Sequence, residues 1–299
     1  SQYRKHIMSD KTKKTIDYYL IRINQIISSV LLSSSKSDLI LNEAMRYAVL
    51  NGGKRIRPLL IYTCGECLNI KKEKLDVPAL SIELLHSFSL VHDDLPSMDD
   101  DSLRRGMPTT HKKFNEATAI LAADALQTLA FGTIADSQVI TNQEKVGLIS
   151  IISKACGAEG MTGGQSIDLL SQGKKIGKKE LQKLHTMKTG ALIHASVMSV
   201  FNLANTYNDE EYNIMNEFGW KIGLAFQIRD DLIEIEETSE ITGKDNNSDL
   251  KNNKATWPAI FGKKASHDYC KELLEDCMNY LQIFNNKAEP LRWLTQYLI

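Results

Sequence analysis

The chain has 299 residues, of which 42% are hydrophobic and 24% are charged, and its formal net charge is −1. This length suits one large core or two ordinary domains. The balanced charge excludes a general electrostatic attraction to nucleic acid or to an anionic membrane. We identify no apolar run of the roughly 18 residues that a membrane span needs, the best being residues 191–204, so we expect no stable membrane insertion. We expect residues 1–8 to be a remnant ahead of a native start at Met8, within a single domain covering residues 1–299.

Helical periodicity dominates the chain from residue 16 onward. Between residues 16 and 30, apolar residues recur at spacings of three and four. Long apolar segments follow at 79–91, 117–134, 146–161, 191–203 and 214–235. Alternating strand patterns bounded by turns are missing from the sequence. We therefore predict an all-α protein of ten or more helices.

Glycine, proline and polar clusters predict where these helices are interrupted. The predicted breaks lie at residues 51–53, 69–78, 96–108, 171–177, 205–210 and 236–254. The last is the longest, and a polar loop of that length in a compact protein is usually functional or disordered. We predict that it is an active-site flap.

The first break carries three cations in a tight turn, Lys54, Arg55 and Arg57, directly after Gly52 and Gly53. Glycines permit close approach of a ligand, and the cations suit a phosphate group. The segment lacks the spacing of a Walker A loop and no strand precedes it. The alternative interpretation is a basic helix start.

The five cysteines are an odd and scattered set, which is typical of a reducing cytoplasm. Cys64 and Cys67 match the spacing C-x-x-C, and apolar residues precede them. We expect them to be two small residues of a core helix, with redox or metal chemistry as the alternative.

An acidic cluster follows the apolar segment that ends near Val91. It comprises Asp93, Asp94 and residues 99–101, and twin arginines follow at residues 104–105. Pro96 disfavours helical geometry at the preceding residue, so the helix should end there. Acidic side chains at a helix C-terminus oppose the helix dipole and need a counter-charge. The cluster therefore predicts Mg²⁺ and phosphate binding; periodicity does not choose among the three later aspartates.

A second acidic cluster repeats this arrangement. Asp230 and Glu234 lie one helical turn apart with Asp231 adjacent, and Gln227 precedes Asp231 by one turn. We expect both clusters to face one cavity that holds a magnesium-bridged phosphate ester.

Two weaker signals lie between the acidic clusters. Lys188 and Thr189 precede a long apolar segment, where an amine and a hydroxyl could meet a phosphate and a developing positive charge. Residues 163–168 combine a glycine pair, which permits close helix packing, with polar residues. The histidines lack a metal-ligand spacing with cysteines, so we treat four of them as structural or peripheral: His92, His111, His185 and His194.

Together these segments resemble the all-trans prenyl diphosphate synthase family, in particular its short-chain bacterial farnesyl diphosphate type. The matching segments run in family order over most of residues 40–260: residues 52–58, 83–111, 123–131, 163–169, 188–193 and 226–258. The resemblance implies an isoprenoid synthase fold of antiparallel helices around a deep cavity, and a cytoplasmic homodimer. It implies head-to-tail condensation of isopentenyl diphosphate with dimethylallyl and geranyl diphosphate.

The resemblance also implies roles for individual residues. Three Mg²⁺ ions would be held by Asp93 and Asp99, with Asp94 close by, and by Asp230. Isopentenyl diphosphate would be held by Lys54, Arg57, His86 and Arg105. The allylic diphosphate and reacting carbons would meet Arg104, Lys188, Thr189, Gln227, Lys244 and Lys254.

The family sets product length four and five residues before the first aspartate, here at Ser89 and Phe88. An aromatic Phe88 is associated with a C15 product, although spacing alone does not prove that it is the floor of the pocket. Glu234 departs from the aspartate usual at that position. Geranyl and geranylgeranyl diphosphate synthases are the near alternatives, and a class I terpene cyclase or a silent partner subunit are the distant ones.

Overall fold

The computed structural model describes residues 9–33, 39–242 and 254–299. These residues are almost entirely helical, which confirms the predicted all-α class with ten or more helices. They group into two compact units, the first made of residues 9–151 and 199–205, the second of residues 152–198 and 206–299. The single domain expected from the sequence stays a prediction.

The first unit is built around helix α4 (Lys72–Asp94), which packs against α3 (Ile56–Cys67) and α6 (Glu116–Ala135). Along α4 most side chains are buried, including Leu80, Leu84 and Leu85. Gly65 of α3 faces Leu75 of α4 so closely that an added Cβ would lie 2.4 Å from the leucine methyl carbons. Its helices are α1 (Asp10–Ser33), α2 (Leu39–Leu50), α3 (Ile56–Cys67), α4 (Lys72–Asp94), α5 (Thr110–Lys113), α6 (Glu116–Ala135) and α7 (Asn142–Cys156), and the last residues of α7 are grouped with the second unit.

Cys64 and Cys67 both lie buried in α3, as predicted for core residues. Burial raises the pKa of the Cys64 thiol well above its ordinary value. A protonated, buried thiol is a poor nucleophile and a poor metal ligand. The C-x-x-C spacing therefore has a packing explanation.

Helix α6 is the most apolar long helix of the described residues, and it carries an apolar window of 18 residues, whereas the sequence pointed to residues 191–204 as the best apolar run and to none of that length. By length and composition it could cross a membrane, and a third of its apolar window is buried. Ala119, Ala123 and Leu126 face the protein interior, whereas Ile120 and Leu121 are exposed. The core helix of a protein without any membrane span passes the same test, so the test by itself is weak evidence.

The second unit is built on α11 (Asp209–Thr242), a helix of 34 residues that packs against α10 (Ala191–Met198) and α13 (Lys263–Tyr280). A short π-helical turn, Thr186–Gly190, separates α9 from α10 and packs against α8 and α11. Its helices are α8 (Met161–Ser171), α9 (Lys178–His185), α10 (Ala191–Met198), α11 (Asp209–Thr242), α12 (Trp257–Phe261), α13 (Lys263–Tyr280) and α14 (Glu289–Leu298).

Two predicted breaks are displaced in the structure. Helix α4 begins at Lys72 and contains Pro78, although residues 69–78 were expected to be irregular. Pro78 is the seventh residue of the helix, where proline removes one backbone hydrogen bond, so the buried packing of α4 keeps the helix continuous despite that local cost. Helix α11 continues to Thr242, beyond the expected break at Glu236. Contacts of Glu236 with His267 (2.7 Å) and Lys263 (3.8 Å) stabilise this extension.

A short β-hairpin interrupts the helices after α4, in a segment predicted to be irregular. Strands β1 (Leu103–Arg104) and β2 (Met107–Pro108) pair antiparallel around a two-residue turn. Arg105 and Gly106 form that turn with φ angles of 50° and 75°. Positive φ at both central residues matches the twist of a tight hairpin. The hairpin holds the twin arginines at its tip.

Candidate active site

The cationic turn before α3 separates its three cations into different environments. Gly52 and Gly53 have φ angles of 95° and 123°, which only glycine adopts without strain. Lys54 is exposed and Arg57 is buried. Arg55, between them, is buried in a left-handed conformation. The turn therefore presents one cation to solvent and encloses two.

Arg55 is held by side-chain and backbone acceptors of the first unit. Its guanidinium donates to Glu83 Oε1 at 3.1 Å, to Asn24 Oδ1 at 2.9 Å and to the carbonyl of Val49 at 2.7 Å. A buried charge of this kind requires such partners. Arg55 therefore serves the conformation of the turn, a role that its position in the sequence did not indicate.

The hairpin carries Arg104 and Arg105 in different roles. Arg104 donates two hydrogen bonds to Asp94, from Nε to Oδ2 at 2.9 Å and from Nη2 to Oδ1 at 2.7 Å. Arg105 is exposed at the tip, and an added Cβ on Gly53 would meet its guanidinium at 3.4 Å. The glycine pair of the cationic turn therefore leaves room for this arginine.

The two aspartates that end α4 differ in burial. Asp93 is partly exposed, whereas Asp94 is buried in its bidentate pair with Arg104. Leu95 ends the helix just before Pro96, as predicted. The backbone N–H of Asp99 donates to the carbonyl of Asp93 at 2.8 Å. Among the three later aspartates, the structure thus brings the backbone of Asp99 back to Asp93.

His86, Phe88 and Ser89 lie on α4 one to two turns before Asp93. Burial, together with the positive charges of nearby arginines led by Arg57, holds the pKa of His86 well below its ordinary value. Phe88 and Ser89 are both buried. The Phe88 ring meets the His92 ring edge-on, with centroids 5.7 Å apart. His86 is therefore a neutral imidazole at neutral pH.

In the second unit, Lys188 and Thr189 lie in the π-helical turn. Such turns are frequent at functional sites because they redirect side chains. Lys188 Nζ forms an ion pair with Asp168 Oδ2 at 2.6 Å. Gly164 of α8 lies directly beneath, and a Cβ there would be 2.3 Å from the backbone nitrogen of Lys188. The glycine pair thus permits α8 to support the turn.

A chain of hydrogen bonds runs from Thr189 to the second acidic cluster. Thr189 Oγ1 donates to Gln227 Oε1 at 2.7 Å, and Gln227 Nε2 donates to Asp231 Oδ1 at 2.9 Å. The backbone N–H of Trp257 donates to Asp231 Oδ2 at 2.9 Å. Asp231 is buried, whereas Asp230 is exposed.

The remaining predicted site residues differ in exposure, and one of them lies outside the described residues. Glu234 is partly exposed one turn after Asp230 on α11. Lys254 is partly buried and lines a groove with Lys174 and Lys175. Lys244, and most of the expected flap, lie outside the described residues. Within residues 9–33, 39–242 and 254–299, no three His, Cys, Asp or Glu side chains cluster closely enough to hold a metal ion by themselves.

Sequence reasoning missed the contributions of Asp168, Glu83 and Trp257. Asp168 lies 20 residues from its partner Lys188, on a different helix. Glu83 lies 28 residues from Arg55. Helical periodicity and short motif spacings carry no information about contacts between residues that are so far apart in the sequence. The only signal was the polar character of residues 163–168 next to a glycine pair.

Comparison with known proteins identifies the relatives of this chain. Residues 38–292 match the family model described as polyprenyl synthetase. The farnesyl diphosphate synthase of Haemophilus influenzae is 41% identical over 262 residues, which cover 87% of this chain and 89% of that protein.

Solved structures agree with this relationship. The geranyltransferase of Legionella pneumophila superposes with a TM-score of 0.87 at 32% identity and 96% coverage of both chains. A geranyltransferase of Helicobacter pylori, complexed with magnesium and isoprenyl diphosphate, superposes with a TM-score of 0.81 at 30% identity and 98% coverage of both chains. The expected isoprenoid synthase fold is confirmed, and the chain belongs to the polyprenyl synthetase family.

Proposed function

We propose that this protein is a farnesyl diphosphate synthase, which joins isopentenyl diphosphate to dimethylallyl diphosphate and then to geranyl diphosphate. The observation that carries the proposal is the presence of two groups of charged side chains, each suited to one diphosphate. One is the cationic turn with its neighbouring hairpin arginine; the other comprises the aspartates and Lys188. A class I terpene cyclase needs only the second. The 41% identity to a farnesyl diphosphate synthase supports the same reaction.

We assign isopentenyl diphosphate to the cations of the first unit. Lys54 and Arg105 are exposed, and Arg57 and His86 lie close enough for the arginine charge to lower the pKa of the histidine. A neutral imidazole can still donate one hydrogen bond to a diphosphate oxygen. The fixed turn would hold the substrate so that its double bond is oriented for attack.

The aspartates fit Mg²⁺ by their chemistry. Mg²⁺ prefers oxygen ligands and is usually held by one or two carboxylates together with substrate phosphates. We propose Asp93 and Asp99, with Asp94 nearby, for two ions and Asp230 for a third. When bound, Mg²⁺ would neutralise charge on the leaving diphosphate.

The second unit supplies the groups for the allylic substrate. Lys188 and Lys254 would add positive charge to the departing diphosphate. The Thr189 hydroxyl donates a hydrogen bond to Gln227 Oε1, so the lone pairs of the hydroxyl oxygen are directed away from Gln227. Preorganised oxygen dipoles of this kind stabilise a developing carbocation. The double bond of isopentenyl diphosphate then forms the new carbon–carbon bond, and a proton is lost to the departed diphosphate.

We propose a C15 main product because Phe88, an aromatic residue at a position that sets product length in this family, is buried on α4 five residues before Asp93. We also propose a cytoplasmic homodimer without membrane insertion. All five cysteines are buried and none forms a disulfide within the described residues, which suits a reducing compartment. The exposed Ile120 and Leu121 of α6 offer an apolar face that a second copy would cover.

The test is product analysis with Mg²⁺, dimethylallyl diphosphate and isopentenyl diphosphate. We expect farnesyl diphosphate as the main product and no turnover after chelation of Mg²⁺. A matched reaction with farnesyl diphosphate in place of dimethylallyl diphosphate, and without isopentenyl diphosphate, should give no product. Cyclic hydrocarbons in that control would identify a terpene cyclase instead. Absence of any condensation product in the complete reaction would reject the proposal.

A further inference from the structure

The two neighbouring aspartates of α11 lie in contrasting environments. Asp230 is exposed, whereas Asp231 is only 5% exposed. Burying a carboxylate is unfavourable by several kcal/mol unless hydrogen bonds compensate for the lost water. Asp231 has such donors on both oxygens, from the Gln227 amide and from the Trp257 backbone, each at 2.9 Å. Its surroundings are therefore those of a structural acceptor.

His185 does not neutralise this carboxylate. Its Nε2 lies 3.7 Å from Asp231 Oδ2. Burial, reinforced by the positive charge of Lys188, lowers the pKa of His185 to about 4, so the ring is uncharged at neutral pH. The negative charge of Asp231 is thus stabilised by oriented N–H donors. Because Asp231 accepts from N–H groups, Gln227 must turn the NH₂ end of its amide, and Trp257 its backbone N–H, toward the carboxylate.

Gln227 transmits this orientation to Thr189. An amide has one donating end and one accepting end. Because Asp231 accepts from Nε2, the Gln227 oxygen faces Thr189 and accepts its hydroxyl proton at 2.7 Å. Reversal of the amide would place its NH₂ group against the hydroxyl and its oxygen against the carboxylate. Asp231 therefore selects the arrangement in which the Thr189 lone pairs are directed away from Gln227.

We infer that Asp231 is a positioning residue, which orients Gln227 and Thr189 and holds the start of α12, while Asp230 is the member of the pair that addresses the metal. The inference rests on the proposed function, since it assigns Gln227 and Thr189 to the reacting carbons. It gives Asp231, to which the sequence assigned no role, a function distinct from that of Asp230.

The first acidic pair shows the same division of environment. Asp93 is partly exposed, and Asp94 is 3% exposed in a bidentate pair with Arg104. In both pairs the earlier acid is more exposed than the later one, which is buried against neighbouring protein groups. Consecutive side chains of a helix point about 100° apart. At the edge of a core, one of two neighbouring acids is therefore buried and the other is more exposed.

Asp231→Asn and the matched control Asp230→Asn test this inference. Binding of inorganic diphosphate in the presence of Mg²⁺, measured by calorimetry, should weaken at least tenfold in Asp230→Asn and less than twofold in Asp231→Asn. The kcat of Asp231→Asn should fall by about 10- to 100-fold, the range for partners that orient active-site groups. Its KM for isopentenyl diphosphate should stay within twofold. Equal loss of diphosphate binding in the two variants would overturn the assignment.

A double-mutant cycle with Gln227 separates positioning from a general structural role. If Asp231 acts through Gln227, adding Asp231→Asn to Gln227→Ala should lower kcat little further, whereas independent roles would multiply their losses. Multiplied losses would refute the inference.

An exchanged pair keeps the test decisive if Asp231→Asn folds poorly. When Gln227→Glu is combined with Asp231→Asn, the new amide at position 231 can donate to the new carboxylate at position 227. Its oxygen can still accept from the Trp257 backbone. We expect at least a fivefold recovery of kcat over Gln227→Glu alone, and no recovery would reject the inference. If the wild-type protein forms no farnesyl diphosphate, the proposed function fails, but the calorimetric comparison still decides between the two aspartates.

Discussion

Gly164→Ala is expected to disable the enzyme through backbone displacement alone. The added Cβ would lie 2.3 Å from the backbone nitrogen of Lys188 and 2.5 Å from its Cα. Ordinary contact begins at 3.4 Å, so the π-helical turn must move away from α8 by about 1 Å. The hydrogen bonds of Lys188 to Asp168 and of Thr189 to Gln227, now 2.6 and 2.7 Å, would then exceed normal hydrogen-bond length.

The expected magnitudes follow from that displacement. Overpacking a close contact destabilises a protein by about 1–3 kcal/mol. A misplacement of about 1 Å at a reacting group lowers a rate by about 100-fold. We therefore expect kcat to fall by about two orders of magnitude while the protein stays folded, because the stability loss is a fraction of a typical folding free energy of about 5–15 kcal/mol.

The assay is farnesyl diphosphate formation from geranyl and isopentenyl diphosphates, with thermal unfolding followed by circular dichroism. Gly132→Ala is the control, since nothing lies within 4 Å of a Cβ at that helical position. It should keep full activity and gain up to about 1 kcal/mol of stability from its better helix propensity. A fully active Gly164→Ala enzyme would refute the claim that this contact positions Lys188 and Thr189.

Three further changes test other parts of the structure. Phe88→Ala should lengthen the product beyond C15 because a buried ring is removed; an unchanged C15 product, analysed by chromatography, would count against Phe88 as the floor. Arg55→Met should destabilise the protein by about 3–5 kcal/mol by leaving a buried carboxylate unpaired, and adding Glu83→Leu should recover most of that loss in urea unfolding. His185 is neutral in the folded protein down to its pKa of about 4, whereas the unfolded chain takes up a proton near pH 6.5. Its contribution to stability is therefore complete above pH 6.5 and declines toward pH 4, by up to about 1.4 kcal/mol per pH unit, and His185→Gln should remove this slope from urea unfolding measured between pH 7 and 4.5.

Local signals in the sequence were sufficient for the helical fold and for the end of α4. Apolar periodicity reports which face of a helix is buried, and Pro96 marks the helix end because its ring excludes helical geometry at Leu95. The same signals failed at Pro78, where a helix contains the proline, and at Glu236, where contacts with His267 and Lys263 prolong α11. At Pro78 the buried packing of α4 outweighs a proline penalty of about 3 kcal/mol in a helix interior, and at Glu236 partly exposed ion pairs accompany a helix that the polar local sequence did not predict.

The two acidic pairs, the cationic turn and the resemblance to the family could all be read from residue types at fixed short spacings. The division of the charges between solvent and protein became visible only in the folded chain. The tertiary structure buries Arg55 against Glu83 and leaves Lys54 exposed, and it buries Asp231 beside the exposed Asp230. Neighbouring residues in a sequence look equivalent, but a helix turns by about 100° per residue. Which of two adjacent charges meets water and which meets protein therefore depends on the elements packed around them.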